Sequence, residues 1–252
     1  MNKSVSDYQQ HCWKTYKEKL GISPGYRYLY GHPVKVHVPV DVACGGVMII
    51  GAYPTAHFNA IGSERDVPVE DHLYPFSNEL YFDGSRIREV DSGRELEELF
   101  LKPLGISRDK TWITDLVKIF LFKDGHIQKY NRLTKTLNLE DCMADLVHRE
   151  DFMKFAKLEE NRKFIQQEIE LCKPTVILGL GAEVNAVMLD MSVASATKAI
   201  EACQPFEYKL NGHTYSYFAC PHPGILMRED ENGKWKGYLK KIIEEVKRIL
   251  EA

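Results

Sequence analysis

The residues able to do chemistry in this 252-residue chain gather in four short segments. They are Gly51-Ala-Tyr-Pro-Thr-Ala-His-Phe-Asn59, Trp112-Ile-Thr-Asp-Leu-Val-Lys118, Gly179-Leu-Gly-Ala182 and Pro221-His-Pro-Gly-Ile-Leu-Met-Arg228. The first offers a phenol, an imidazole and an amide in Tyr53, His57 and Asn59. The second carries Asp115 and Lys118, and the fourth holds His222 between two prolines. An ionised carboxylate only accepts hydrogen bonds, whereas an imidazole can donate as well as accept. A glycine turn that opens a helix can bind phosphate, so Gly179-Leu-Gly181 also permits a dinucleotide-binding reading. That reading lacks the third glycine and an acidic ribose partner about 20 residues on. Cys12, Cys44, Cys142, Cys172, Cys203 and Cys220 lie far apart with no C-x-x-C pair, which reads as buried reduced thiols rather than a metal site or disulfide framework.

The elements around these segments alternate between strand and helix. Val47 to Ile50 is a short apolar run ended by Gly51 and Pro54, as expected of a buried parallel strand entering a loop. Thr111 to Phe122 reads as a second strand and its exit, and Val176 to Gly179 as a third, followed by a helix from Ala182 to Leu189. Asn211-Gly212 between Phe206 to Leu210 and His213 to Phe218 signals a hairpin. Helices are expected from about Gly93 to Leu104, over most of Leu139 to Cys172, and from Trp235 to Leu250. Thr55 to Glu89 reads as an irregular surface excursion. The pattern predicts a three-layer α/β/α fold on a mainly parallel central sheet, in which ligands collect at the carboxyl ends of the strands. Residues 1–44 are expected to form a helix and loop-rich extension packed on a core domain of residues 45–252.

Composition sets outer bounds. With 44% hydrophobic and 27% charged residues the chain can bury a full core. No apolar run approaches the roughly 18 residues needed to cross a bilayer, and Met1 to Tyr16 is polar and mixed in charge, so a cytoplasmic protein is expected. A formal charge of −3 gives no global attraction to nucleic acid. Any such contact needs a local basic face, for which Lys118, Lys123, Lys129, Arg132, Lys135, Arg228 and Lys234 flank the strand exits.

The order and spacing of the four segments resemble the uracil-DNA glycosylase superfamily from about Gly45 to Leu250. Gly51-Ala-Tyr-Pro54 is similar to the family's Gly-x-x-Pro loop, and the loop of His222 to its histidine loop near the end. Ile113-Thr-Asp-Leu-Val-Lys118 and Lys173-Pro-Thr-Val-Ile-Leu-Gly-Leu-Gly181 resemble segments of the iron-sulphur branch. The resemblance implies a monomeric DNA glycosylase that excises a damaged or modified pyrimidine and leaves an abasic site, in repair or in defence such as phage defence. Such an enzyme must take the base out of the stack, which costs a few kcal/mol. The resemblance assigns His222 a hydrogen bond to the departing base and Leu226 a wedge in the duplex, with Met227, Arg228, Lys118 and Arg132 as further DNA contacts. Gly51, Ala52, Pro54, Asp115 and Phe82 would line the base site, Phe82 as the stacking partner.

Departures from the pattern are informative. The family places an acid or amide in the first loop to position water, where this chain has Ala52 and Tyr53. Pro54-Thr-Ala-His-Phe-Asn59 resembles a branch that also lacks the acid there and takes an aspartate from farther along. Tyr53, His57, Asn59 and Asp91 are therefore expected in catalysis, with Asp66 and Asp83 as alternatives for the water. Asp115 stands where the family usually carries an asparagine. An ionised carboxylate there would repel uracil O4 and accept from an exocyclic amine, which points to cytosine or a modified cytosine. Ile119 stands where the iron-sulphur branch has a cysteine after the lysine, so no cluster, metal or other cofactor is expected. A catalytically silent nucleic-acid-binding protein of the same fold is the alternative.

Overall fold

A computed structural model of the chain describes residues 3–18, 35–71, 73–138 and 148–251. A five-stranded sheet forms the centre, in the order β6 (Thr111–Asp115), β1 (Val47–Gly51), β7 (Val176–Leu180), β9 (His213–Cys220), β8 (Phe206–Leu210). The first four strands run parallel and β8 is antiparallel at one edge. β1, β6 and β7 are buried along their whole length, which is why they read as continuous apolar runs.

Side-chain alternation with a period of two sorts the core into two faces. Met48, Ile50, Trp112, Ile177 and Tyr217 pack into one cluster with Tyr8, Cys12 and Tyr16 of α1 (Lys3–Glu18) and Phe164, Ile165 and Ile169 of α6 (Glu159–Cys172). Val47, Ile49, Ile113, Leu178 and Phe218 face the other way. There they meet Leu96, Phe100 and Leu104 from residues 91–104, and Leu239, Ile242 and Val246 of α10 (Lys234–Leu250). The result is the three-layer α/β/α architecture that the alternation of elements predicts.

Several elements differ from the sequence expectation. Thr55 to Glu89 is not irregular throughout. It holds two hairpins, β2 (Ala56–Ile61) with β3 (Glu64–Asp71) and β4 (Leu80–Phe82) with β5 (Ile87–Glu89). Pro68 within β3, the left-handed Asp66 at φ 55° and register shifts in β2 interrupt the two-residue period that would have announced the strands. The helix expected from Gly93 begins at Asp91 and runs as α2 (Asp91–Leu96), a wide turn over Glu97–Leu101, and α3 (Lys102–Leu104). Pro103 has no N–H to give the carbonyl four residues back, and at the wide turn Lys102 N–H donates to Glu97 O five residues back. Gly105 ends the run at φ 72°.

Between β6 and β7 lie α4 (Asp124–Thr136), α5 (Phe152–Ala156) and α6. The part of the expected helical stretch at 139–147 lies outside the described residues, as do the aromatic and basic residues near 26–30. After α7 (Ala182–Met188), a further helix unanticipated from the sequence, α8 (Val193–Ala202), leads to the β8–β9 hairpin. Its Asn211 and Gly212 sit at φ 47° and 82°, the conformation that suits a two-residue hairpin loop. Cys12, Cys172, Cys203 and Cys220 are buried free thiols, while Cys44 is exposed, against expectation, and Cys142 lies outside the described residues. Among the described residues no helix is long and apolar enough to cross a membrane.

Candidate functional site

The chain crosses from β1 to β6 on one side and later places β7 on the other side of β1. The carboxyl ends of these strands therefore border a switch point, where open α/β sheets bind ligands. Gly51 pairs with Asp115 at the ends of β1 and β6, and Leu180 pairs with Cys220 at the ends of β7 and β9. Four adjacent strand ends thus lead directly to Gly51, Asp115, Gly181 and His222. The outer two of these strands are three spacings apart, about 14 Å.

Asp115 is the most unusual group at this edge. It is fully buried, and neither carboxyl oxygen has a hydrogen-bond partner. Burial pushes its pKa up to about 7, with the Lys118 ammonium acting against the rise and Glu168 reinforcing it. A Cβ on Gly51 would overlap both Asp115 Oδ1 and the ring of Phe76. Glycine is therefore required at position 51, and Phe76 is the aromatic side chain beside the buried carboxyl. Phe76 adopts φ 50°, unusual for a bulky residue. Its carbonyl accepts from Arg108 Nη2, and the Ser77 carbonyl after it lies against Gly93 of α2, where a Cβ would collide with it. Sequence reasoning chose Phe82 for the stacking role. Phe82 is 63% exposed on β4 and takes no part in this packing. The only sequence sign of Phe76 is its place between Pro75 and Ser77 ahead of Gly93.

Leu116 N–H donates to Gly51 O at 2.9 Å and Val117 N–H to Ala52 O at 3.0 Å, which ties the two strand exits together. Lys118 then turns into the core and not toward solvent, so it is unavailable to phosphate. Its ammonium meets Glu168 Oε1 at 2.6 Å, Thr114 Oγ1 at 2.5 Å and Asp115 O at 2.6 Å, and neither charged side chain is exposed. Glu168 accepts further from Tyr8 and from Trp112 Nε1. Every donor of the ammonium is used, which is what makes a buried lysine tolerable.

His222 caps the N-terminus of α9 (Pro223–Leu226), with Nδ1 accepting from Gly224 N–H at 3.0 Å. An Nδ1 that accepts leaves the proton of a neutral ring on Nε2, which becomes a donor. His222 is exposed at the surface, but partial desolvation by the surrounding protein lowers its pKa and the charges of Arg149 and Arg228 lower it further, so the neutral ring prevails near pH 7. The ring rests on Gly181, the residue before α7. Tyr53 packs on Phe152 and Phe120, with ring centroids 5.8 and 6.4 Å away. Burial raises its pKa, opposed by Arg149, whose side chain reaches the phenol. Glu183, in the first turn of α7, and Asp115 both act on Tyr53 by charge. Arg149 and Glu183, both exposed, are thus charged neighbours of Tyr53 that the sequence reading did not name, since neither lies in a strand-exit motif matched to the family.

The remaining expected residues are distributed otherwise. Ala52 is half-buried and Pro54 buried within the first loop. His57 is clamped by Glu79 at 3.0 Å and stacked on Tyr81 at 4.3 Å, and Asn59 packs beside Gly84 in the next hairpin. Asp91 lies at the start of α2, exposed and paired with Arg94 at 3.2 Å. Asp83 is occupied by the N–H groups of Ser85 and Arg86 and by the Arg88 side chain, and Asp66 is exposed on β3. None of these carboxylates stands beside Asp115 or His222 to hold water. Arg132 pairs with Glu64 away from the strand ends. Leu226 is 0% exposed in the cluster beneath the sheet and is no wedge in this structure, because α9 turns it inward. Ile225, Met227 and Arg228 remain exposed.

The glycine turn after β7 does not serve a dinucleotide. The space at Gly179 is filled by Tyr217 Oη and Asn185 Oδ1, which hydrogen-bond each other at 2.6 Å, and Gly181 abuts His222. A family model described as the uracil DNA glycosylase superfamily matches residues 45–247. A search of curated proteins found no match.

Proposed function

Because the chain belongs to the uracil DNA glycosylase superfamily, we propose that it is a monofunctional DNA glycosylase. It draws one damaged or modified pyrimidine nucleotide out of a DNA strand and hydrolyses the N-glycosidic bond, leaving an abasic site. The observation that carries this reading is the Asp115 carboxyl, fully buried with both oxygens unpartnered against Gly51 and Phe76. A buried polar group left unsatisfied is destabilising, and a ligand bearing the complementary donors or acceptors relieves it.

The protonation state of Asp115 revises what the sequence suggests about the base. With a pKa near 7, the group is substantially a neutral acid at neutral pH. A neutral acid donates through one oxygen and accepts through the other, as an amide does. It can therefore meet the N3–H and O4 of a uracil-like base at or below pH 7. Once ionised it favours an exocyclic amine, as on a substituted cytosine. Phe76 offers its ring as the stacking surface, a contact worth about 1 to 3 kcal/mol.

His222 supplies the leaving-group side of the reaction. Its Nε2–H donates to a carbonyl oxygen of the departing base and stabilises the negative charge that develops as the bond breaks. Ala52 cannot orient water, and we assign that part to Glu183, an exposed carboxylate in the first turn of α7 whose charge acts on Tyr53. The reading invokes no metal or cofactor, and the enzyme acts as a monomer inside the cell.

A second reading, a silent nucleic-acid-binding protein, is favoured by Ala52 in the water-positioning loop and by Tyr53 packed into an aromatic cluster. One experiment separates the two. Oligonucleotides holding uracil, hypoxanthine, xanthine or substituted cytosines, single- and double-stranded, are incubated with the protein and then cleaved with alkali. The glycosylase reading expects strand breaks at a pyrimidine that vanish in His222→Ala. DNA binding without breaks at any base supports the silent protein and refutes hydrolysis.

A further inference from the structure

Phe76 sits beside the buried carboxyl in a backbone conformation that its side chain does not favour. Ser77 N–H donates to Tyr74 O at 3.1 Å, which closes a turn with Pro75 second and Phe76 third at φ 50°. Proline suits the second position of such a turn, whereas positive φ at the third ordinarily calls for glycine or asparagine. For a bulky aromatic residue this region is strained, and it persists only where surrounding contacts impose it. What the conformation achieves is placement, since it brings the ring against Gly51 beside Asp115 Oδ1.

The imposing contact comes from Arg108. One arm of its guanidinium, Nη2, donates to the Phe76 carbonyl, and the other, Nη1, donates to Asp41 Oδ2 at 2.9 Å. The Arg108 side chain is 12% exposed, too enclosed to serve as a free cation, and Glu97 Oε2 stands 3.8 Å from its Nε. Gly93 of α2 also lies against the Phe76 carbonyl, 3.0 Å from where a Cβ would stand. Asp41 is itself fixed, because its carbonyl accepts from Ile113 N–H at 2.9 Å and Val42 bridges Trp112. The contacts therefore close a circuit. From Ile113 of β6 they pass through Asp41, Arg108 and Phe76 and return to Asp115, two residues farther along the same strand. Asp41 precedes the residues that the family model matches, 45–247, so part of this brace comes from outside the matched region.

We propose that Arg108, held by Asp41, is a positioning residue that fixes the Phe76 backbone so that the ring forms the wall of the base pocket at Asp115. A planar guanidinium holds two acceptors through separate nitrogens in one geometry, which a lysine ammonium does not reproduce. Without it the turn relaxes toward negative φ and the ring leaves Gly51. The inference rests on the proposal that this pocket takes a base, but it does not depend on hydrolysis.

The test uses the full chain and two duplexes that differ at one nucleotide. One carries a non-cleavable 2′-fluorinated nucleotide with the pyrimidine excised fastest, or uracil where none is excised, and the other a tetrahydrofuran abasic analogue. Arg108→Gln should bind the base-bearing duplex about tenfold more weakly, the scale of one lost stacking contact, and the abasic duplex less than about twofold more weakly. In a Phe76→Leu background the same substitution should have almost no further effect, since the ring it positions is gone. A second readout needs no DNA. Burial holds the Asp115 pKa at about 7, and a ring that leaves Gly51 lets water reach the carboxyl. The pH at which Asp115→Asn stops gaining stability on its parent should therefore fall below 7 in the Arg108→Gln background. Far-ultraviolet circular dichroism and a thermal melt establish that the variant folds, and Arg108→Lys, which keeps a charge beside Asp41, replaces it if it does not. Unchanged affinity for the base-bearing duplex, an equal loss on both duplexes, a loss undiminished by Phe76→Leu or an unshifted saturation pH overturns the proposal. A wild type that binds both duplexes equally refutes the base pocket itself, and the unfolding measurement then upholds or overturns the hold of Arg108 on Phe76.

Discussion

Replacing Asp115 by asparagine should stabilise the protein, by an amount that grows with pH. The carboxyl is raised from 3.8 to about 7 by burial. Below pH 3.8 both the folded and the unfolded chain carry the proton, and the group has no effect on pH dependence. Between that value and about 7 the folded chain keeps a proton that the unfolded chain has released, so stability falls by about 1.4 kcal/mol per pH unit. Above pH 7 the loss is complete, and a shift of roughly three units corresponds to about 4 kcal/mol. An amide of the same shape does not titrate. The Asp115→Asn variant should therefore gain on the wild type by up to about 4 kcal/mol between pH 4 and pH 8. Urea unfolding of both proteins at half-unit pH steps measures the difference directly, and subtraction cancels all other titrating groups that the substitution leaves alone. A difference that stays constant across the range would refute the claim that Asp115 is a desolvated acid at the site.

Three further outcomes follow from the geometry. His222→Ala should lower excision by about 10²- to 10³-fold, the scale of losing one positioned donor, with DNA affinity changed less than about threefold. Because partial desolvation and the two arginines hold the His222 pKa below its usual value, the wild-type acid limb should fall below pH 6.5, as a pH–rate profile would record. Gly51→Ala inserts a Cβ into Asp115 and Phe76 and should cost about 1 to 3 kcal/mol of stability, measured by thermal denaturation, together with loss of base binding. Lys118→Met strands Glu168 in the core and should cost about 3 to 5 kcal/mol. The slope of DNA affinity against salt should not change, whereas a phosphate contact would lower it by about one.

The sheet was legible because its strands are buried on both faces and so appear as unbroken apolar runs, each closed by a glycine or proline. Asn211-Gly212 announced its hairpin for an equally local reason, the need for positive φ at both positions. The two small hairpins between Thr55 and Glu89 were hidden, since a bulged strand with a proline inside it carries no clean alternation. Motif position placed Gly51, Asp115 and His222 at neighbouring strand ends but said nothing about which way a side chain faces. Leu226 and Lys118 occupy the expected places in the chain and point into the core. Phe76 beside Gly51, and Arg149 and Glu183 near Tyr53, come from segments whose approach depends on loop conformation and helix placement, which no spacing along the chain encodes.

The inward turn of Lys118 gives the site its electrical character. An ammonium so near Asp115 would normally hold a carboxylate ionised, yet Lys118 Nζ is committed to Glu168 at 2.6 Å and to the Asp115 carbonyl instead of its carboxyl. Glu168 takes the charge of the lysine and adds its own repulsion, which leaves burial to dominate and raises the Asp115 pKa to about 7. Tyr8 of α1 and Trp112 hold Glu168 in place, so a helix packed on the sheet helps to set the protonation of Asp115. Glu168→Gln should remove the repulsion, free the lysine charge to act on Asp115 and lower the pKa of that carboxyl. In unfolding experiments the pH at which Asp115→Asn begins to differ from its parent should stay near 4 in both backgrounds. The pH at which the difference saturates should move from about 7 to a lower value in the glutamine background. Comparing the two pairs, with and without the glutamine, cancels the general loss of stability that Glu168→Gln itself brings. If saturation occurs at the same pH in both, the Asp115 pKa is raised by burial alone and the Glu168 network has no part in it.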